Sequence, residues 1–291
     1  MKRFAYAVAA VILAGVGAAG AYKAYRWRKD AHTWHQRWMA LHSNPAGRDQ
    51  YRDDNARVRS QPSRPHRVVF LGASITEHIR FDQEFPDQPF INRGASGQLV
   101  WQQLLRVEPD ALDLRPESVV LKMCAINLLP DAPPFEETQF YFAAMADRVR
   151  ARGVKAILAT TVPVTRRWDQ DEAGGRATPL IRRFNDWVRD QARMHREVLL
   201  DYASVLQDEE GYLPNDLSDD GLHPNAAGQR RMVALIRSVI VEGRGLQIPE
   251  TPAPTGAQQT RVMPLTATAD AGAPAAPPAP PSQPPAPEEP K

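Results

Sequence analysis

Hydrophobic positions between about residues 67 and 241 alternate between two patterns. Short aliphatic runs at Arg67-Val-Val-Phe-Leu71, Val119 to Met123, Val154 to Ala159 and Val198 to Leu200 each give way to turn residues, and they read as buried β-strands. Between them Phe135, Gln139, Phe142, Met145 and Val149 share one helical face that ends at Gly153. Leu180, Phe184, Trp187 and Val188 mark a second helix after Thr178-Pro179, and a third is predicted from Pro224 to about Val241. Strands and helices in this alternation predict an α/β protein of three layers, an open parallel sheet with helices on both faces. In such sheets functional groups sit on the loops beyond the carboxyl ends of the strands.

Two stretches lie outside the alternation. Phe4 to Tyr22 is apolar and free of charged side chains. As a helix it would span about 29 Å, close to the thickness of a bilayer core, while Ala19-Gly20-Ala21 suits a cleavage site, so anchor and signal peptide both fit. Trp27, Trp34, Trp38 and Leu41 then recur along one helical face, suited to docking on the domain or to the lipid interface. Ser43 to His66 is polar, carries three prolines and reads as a linker. From Pro249 on, the chain holds about half of its 27 prolines and has no apolar period, the composition of a disordered tail. The expected organisation is an N-terminal anchor or signal (1–25), a basic juxtamembrane helix and linker (26–66), one domain (67–245) and the tail (246–291).

Charge narrows the partners. A formal net charge of +2 over 291 residues does not suggest nucleic acid. Residues 23–67 nevertheless hold eleven Lys/Arg against four Asp, and a basic segment beside an apolar run favours an anionic membrane surface. Membrane lipid is therefore the expected partner of the N-terminal segment and export the expected location, although the count of Lys and Arg flanking the run points to a cytoplasmic domain. The single cysteine, Cys124, excludes an intramolecular disulfide and a cysteine-built zinc site. His32, His35 and His42 lack carboxylate or cysteine partners at ligand spacing and read as solvated linker histidines, so no metal is expected.

Candidate chemistry sits at two loops. Ser74 follows the first strand directly and opens a helix, where it is either an exposed nucleophile near backbone N–H donors or a helix cap. Near the other end of the domain, Asp220 precedes His223 by three residues. Its carboxylate can turn back to accept the ring Nδ1–H, leaving Nε2 free to take a proton from a serine. Ser96, between Gly94 and Gly97, is a competing hydroxyl.

Four blocks carry a resemblance: Gly72-Ala-Ser-Ile-Thr-Glu77, Asn92-Arg-Gly-Ala-Ser-Gly97, Asn127 after the run ending at Met123, and Asp220-Gly-Leu-His-Pro-Asn225. In this order the chain resembles the SGNH, or GDSL, hydrolase family over about residues 67–241. The resemblance implies a flavodoxin-like α/β/α fold and hydrolysis of esters or thioesters without metal or organic cofactor. It implies Ser74 as nucleophile, His223 as general base oriented by Asp220, and an oxyanion hole made of the Ser74 and Gly94 N–H groups and the Asn127 amide. It also assigns the Ser96 loop to that hole. Three residues depart from the family pattern: Ala73 in place of Asp, and Ala125 and Leu128 where the third block has Gly and Asp.

The expected function is a membrane-associated serine esterase acting on a small-molecule or glycan ester, with O-acetylated envelope glycans foremost. A lysophospholipase or thioesterase, or a feebly catalytic binding domain, is the alternative. Leu128–Pro134 and Pro163–Ala177 are expected to rim the pocket, with Trp168 stacking on a sugar ring or anchoring its loop. A lipase-type Gly-x-Ser-x-Gly elbow is absent, since Thr76 occupies the second glycine's place.

Overall fold

A computed structural model describes residue 47, residues 49–129 and residues 132–243. The expected anchor or signal, the Trp27 to Leu41 face, His32, His35 and His42, and the tail beyond 246 lie outside the described residues. In chain order the elements are α1 (Arg52–Ser60), β1 (Val68–Gly72), the short helices α2 (Ser74–Glu77) and α3 (Phe81–Glu84), β2 (Phe90–Gly94), α4 (Val100–Asp110) and β3 (Ser118–Lys122). There follow α5 (Phe135–Ala151), β4 (Lys155–Ala159), α6 (Arg166–Ala173), α7 (Ala177–His195), β5 (Val198–Leu200), α8 (Tyr202–Leu206) and α9 (Ala226–Ile236).

All five strands are parallel, in the order β2-β1-β3-β4-β5. The winding reverses between β1 and β3, and the crevice outside the carboxyl ends there is the usual ligand position of a doubly wound sheet. Side chains alternate across the sheet and so divide into two cores. Val69, Leu71, Val119, Leu121 and Leu158 join Val107, Phe142, Met145 and Phe184 on one face. Val68, Phe70, Val120 and Ile157 join Phe81, Tyr202, Met232 and Ile236 on the other. Each fully buried aliphatic or Phe side chain contributes about 1.5–3 kcal/mol. The expected α/β/α architecture is thus present.

The structure departs from the sequence expectations in four places. Over Arg52–Ser60 the segment read as a linker is helix α1, with Asn55 and Val58 buried. Strand β2 and helix α4 were not marked by apolar runs, because each buries charged or amide side chains: Arg93 in β2, and Gln103, Arg106 and Asp110 in α4. The last helix starts at Ala226 rather than Pro224. Asn225 is its cap, the side-chain oxygen accepting from Ala227 N at 2.9 Å, while Pro224 pairs with Ser218 in an isolated antiparallel bridge.

Candidate active site

β1 delivers the chain to Ala73, which is extended, and the backbone then turns directly into α2 at Ser74. This places the Ser74 hydroxyl at the carboxyl edge of the sheet, 8% exposed, with its Oγ 2.8 Å from His223 Nε2. The Ser74 N–H is in the first turn of α2, where no intrahelical acceptor exists, and it has no hydrogen-bond partner among the described residues.

The histidine comes from a tight loop built by its own polar groups. Asp220 Oδ1 accepts from Leu222 N at 2.9 Å and His223 N at 2.8 Å, while Oδ2 meets His223 Nδ1 at 2.6 Å. Ser218 Oγ donates to the His223 carbonyl at 2.7 Å and accepts from Gly221 N at 2.9 Å, closing the turn. Gly221 has φ of +87°, and a Cβ there would lie 2.6 Å from Thr165 Oγ1 and 2.7 Å from Trp168 Cβ, so only glycine fits. Burial works against ionisation of Asp220, but the hydrogen bonds from His223 and Leu222 outweigh it and bring the carboxyl down to about 2. These bonds therefore stabilise the folded loop fully above the ordinary carboxylate value of about 3.9, and the contribution is lost as pH falls toward about 2.

The three groups implied for an oxyanion hole stand differently. Gly94 must be glycine, since a Cβ would lie 2.1 Å from Glu77 N, but its N–H already donates to Asn92 Oδ1 at 2.9 Å. The Gly94 N–H is thus engaged within its own loop, and close packing on Glu77 is what demands glycine there. Three residues on, Gly97 is exposed with φ of +74°, open space where a Cβ would be, and an N–H without a partner among the described residues. Two glycines in one loop were the sequence signal, and only the backbone geometry distinguishes them. Asn127 is buried in the turn after β3, with Oδ1 accepting from Val100 N at 2.8 Å and Nδ2 donating to Cys124 O at 2.9 Å. That leaves the second Nδ2 hydrogen uncommitted.

Ser96, the competing hydroxyl, is bound away from any imidazole. Its Oγ donates to Glu77 Oε2, and its N–H donates to the same oxygen at 2.8 Å. A second imidazole, His78, lies near the site, its ring centroid 5.5 Å from that of His223. Asn127, Leu128, Leu129, Ala132, Phe135 and Leu180 line a cavity of about 210 Å³. A larger one, about 590 Å³, touches Asp220 and is walled by Trp168, Asp171, Asn215 and Asp219. Among the described residues no cluster of three or more His, Cys, Asp or Glu could hold a metal ion.

The sequence pattern of the GDSL-like lipase/acylhydrolase family matches residues 70–231, more than half of the chain. The chain belongs to this family. This acylhydrolase is an ester hydrolase. A GDSL-like lipase from Bacteroides thetaiotaomicron is 28% identical with a TM-score of 0.60, covering 68% of this chain and 98% of its own. A Bacteroides fragilis protein assigned as an acylhydrolase is 27% identical with a TM-score of 0.61, covering 68% and 97%. An acetyl xylan esterase at 18% identity and a TM-score of 0.51, covering 60% and 99%, shares the fold. No curated protein sequence matches this acylhydrolase.

Proposed function

We propose that this ester hydrolase works by acyl transfer through Ser74, His223 and Asp220, on short-acyl esters and foremost on O-acetyl esters of envelope glycans. The observation that carries the reading is the unbroken relay from Ser74 Oγ to His223 Nε2 at 2.8 Å and from His223 Nδ1 to Asp220 Oδ2 at 2.6 Å. With Nδ1–H given to the carboxylate, the Nε2 lone pair faces the hydroxyl. Ser74 Oγ attacks the ester carbonyl carbon as its proton passes to Nε2. The tetrahedral intermediate then expels the alcohol, which takes that proton, and leaves the acyl group on Oγ. Water attacks this acyl-enzyme, again losing a proton to Nε2. The acid departs and the proton returns to Ser74. The developing oxyanion is met by the Ser74 N–H, the Gly97 N–H and the uncommitted hydrogen of Asn127 Nδ2.

Two cavities support the substrate class. The one beside Asn127, at about 210 Å³, is smaller than the roughly 300–1,000 Å³ of pockets that enclose drug-sized ligands, and it suits an acetyl group better than a fatty chain. The one touching Asp220 offers an indole wall with carboxylates and an amide, groups suited to the ring and hydroxyls of a sugar. Its four carboxylates outnumber the one guanidinium, Arg167, and disfavour the phosphate of a lysophospholipid. The test is a panel of acetylated sugar, octanoylated sugar, acyl thioester and lysophospholipid. The acetylated sugar is expected to give the highest kcat/KM by about tenfold or more. A higher value for lysophospholipid would sink the substrate assignment, and failure to cleave any ester would sink the reaction.

We further propose that the apolar Phe4 to Tyr22 run tethers the domain to the membrane, supported by its length and the basic residues after it, with the domain on the outer face against the count of flanking Lys and Arg. Among the described residues no helix is long and apolar enough to cross a membrane. Alkaline phosphatase fused after His66 is expected to be active. An inactive fusion would put the domain on the cytoplasmic side.

A further inference from the structure

We propose that helix α1 and the Tyr51 that caps it, which precede the region matched to the hydrolase family, are a positioning element of the active site: through Tyr51 and Asn55 they hold the loop Gly94 to Gln98 that presents an oxyanion donor. The inference rests on the acyl-transfer reading above. Tyr51 Oη donates to the Gly94 carbonyl, and burial pushes the phenol's pKa up, which keeps it a donor. Its ring lies under the Arg93 guanidinium, 4.6 Å from centroid to Cζ. Asn55 bridges two buried cations. Its Oδ1 accepts from Arg93 Nε at 2.9 Å, and its Nδ2 donates to Asp110 Oδ1 at 2.6 Å, the carboxylate that pairs with Arg106 at 2.9 Å.

Arg106 carries the coupling to the site. One Nη donates to the carbonyls of Gly72 at 3.0 Å and Arg93 at 2.7 Å, while Nε donates to Gln98 Oε1 at 2.5 Å. The end of β1 two residues before Ser74, the end of β2 and the far side of the Gly97 turn are thus gripped by one fully buried side chain. Ala95 N closes the frame on Gly72 O at 3.1 Å. In this frame the Gly94 carbonyl takes its side-chain donor from Tyr51 at the start of α1, and Asn55 ties α1 to Arg93 directly and to Arg106 through Asp110. Loss of either contact removes one tie of this frame and lets the Gly97 turn shift relative to Ser74, with Ser96 still held by Glu77. A donor aimed at an oxyanion acts mainly in the transition state, so its displacement lowers kcat and leaves KM nearly alone.

The experiment uses the full chain with Tyr51→Phe, Asn55→Ala and, on the exposed side of the same helix, Asp53→Ala. Competent sites are counted by fluorophosphonate titration, and turnover is expressed per titrated site, so that loss of folded protein does not count as loss of rate. Tyr51→Phe, which keeps the ring over Arg93, is expected to lower turnover per site about tenfold with KM within about twofold. Asn55→Ala is expected to lower it further, and Asp53→Ala to match the parent. Unchanged turnover per site in Tyr51→Phe overturns the inference, whatever the thermal midpoint does, because α1 would then be only a stabilising cover. Should Asn55→Ala fail to fold, Tyr51→Phe still decides. A parent protein that neither titrates nor turns over would sink the acyl-transfer reading itself, and this inference with it.

Discussion

The two sides of the site are built by opposite means. On the histidine side, Asp220 and His223 are three residues apart, partly exposed, and joined by a loop shaped mainly by hydrogen bonds among residues 218–223, with Thr165 N donating to the Gly221 carbonyl at 2.8 Å from outside it. On the β2 side, Tyr51, Asn55, Arg93, Arg106 and Asp110 come from three separate elements, and the Arg106–Asp110 pair is fully buried. The first arrangement is mostly local, its outside support coming from Thr165 and Trp168 against Gly221. The second exists only when α1, β2 and α4 are all in place. A short motif thus sets one side of the site while a distributed polar frame sets the other.

The contrast gives separable predictions. The largest effect is expected on the histidine side: His223→Ala removes the base and should lower kcat by about 10⁴ or more with the thermal midpoint nearly unchanged, measured by ester turnover and calorimetry. Next, Asp110→Ala leaves the Arg106 cation buried without its carboxylate and should cost about 3–5 kcal/mol of stability, read in denaturant unfolding. Asp220→Ala, at an exposed position, should cost far less stability while damaging turnover. A comparable loss of stability in both would dissolve the distinction between the two sides. Smaller again is Asn127→Ala, expected to lower kcat by about 10²–10³ with KM little changed. A change in KM alone would make Asn127 a substrate-binding group.

The same contrast explains what was legible in the sequence. β1, β3, β4 and β5 announced themselves because they bury aliphatic side chains on both faces, and α5 and α7 because they present carbon to the sheet at helical spacing. That Ser74, His223 and Asp220 would lie together was legible because their motifs are short and Ser74 follows a strand end. β2, α1 and α4 were silent for one shared reason. Their buried faces carry Arg93, Asn55, and Gln103, Arg106 and Asp110, which a hydrophobic period reads as surface. Only contacts across the fold reveal that these charges are paired inside. Nor does the sequence tell that Asn92 engages the Gly94 N–H while that of Gly97 has no partner among the described residues.

The central claim is that Ser74 is the hydroxyl activated by His223. Its most direct test is to label the full-length protein with a fluorophosphonate and locate the adduct by peptide mass. The account predicts a single adduct on Ser74, abolished by His223→Ala and retained in Ser96→Ala. An adduct on Ser96, or labelling that persists in Ser74→Ala, would contradict it.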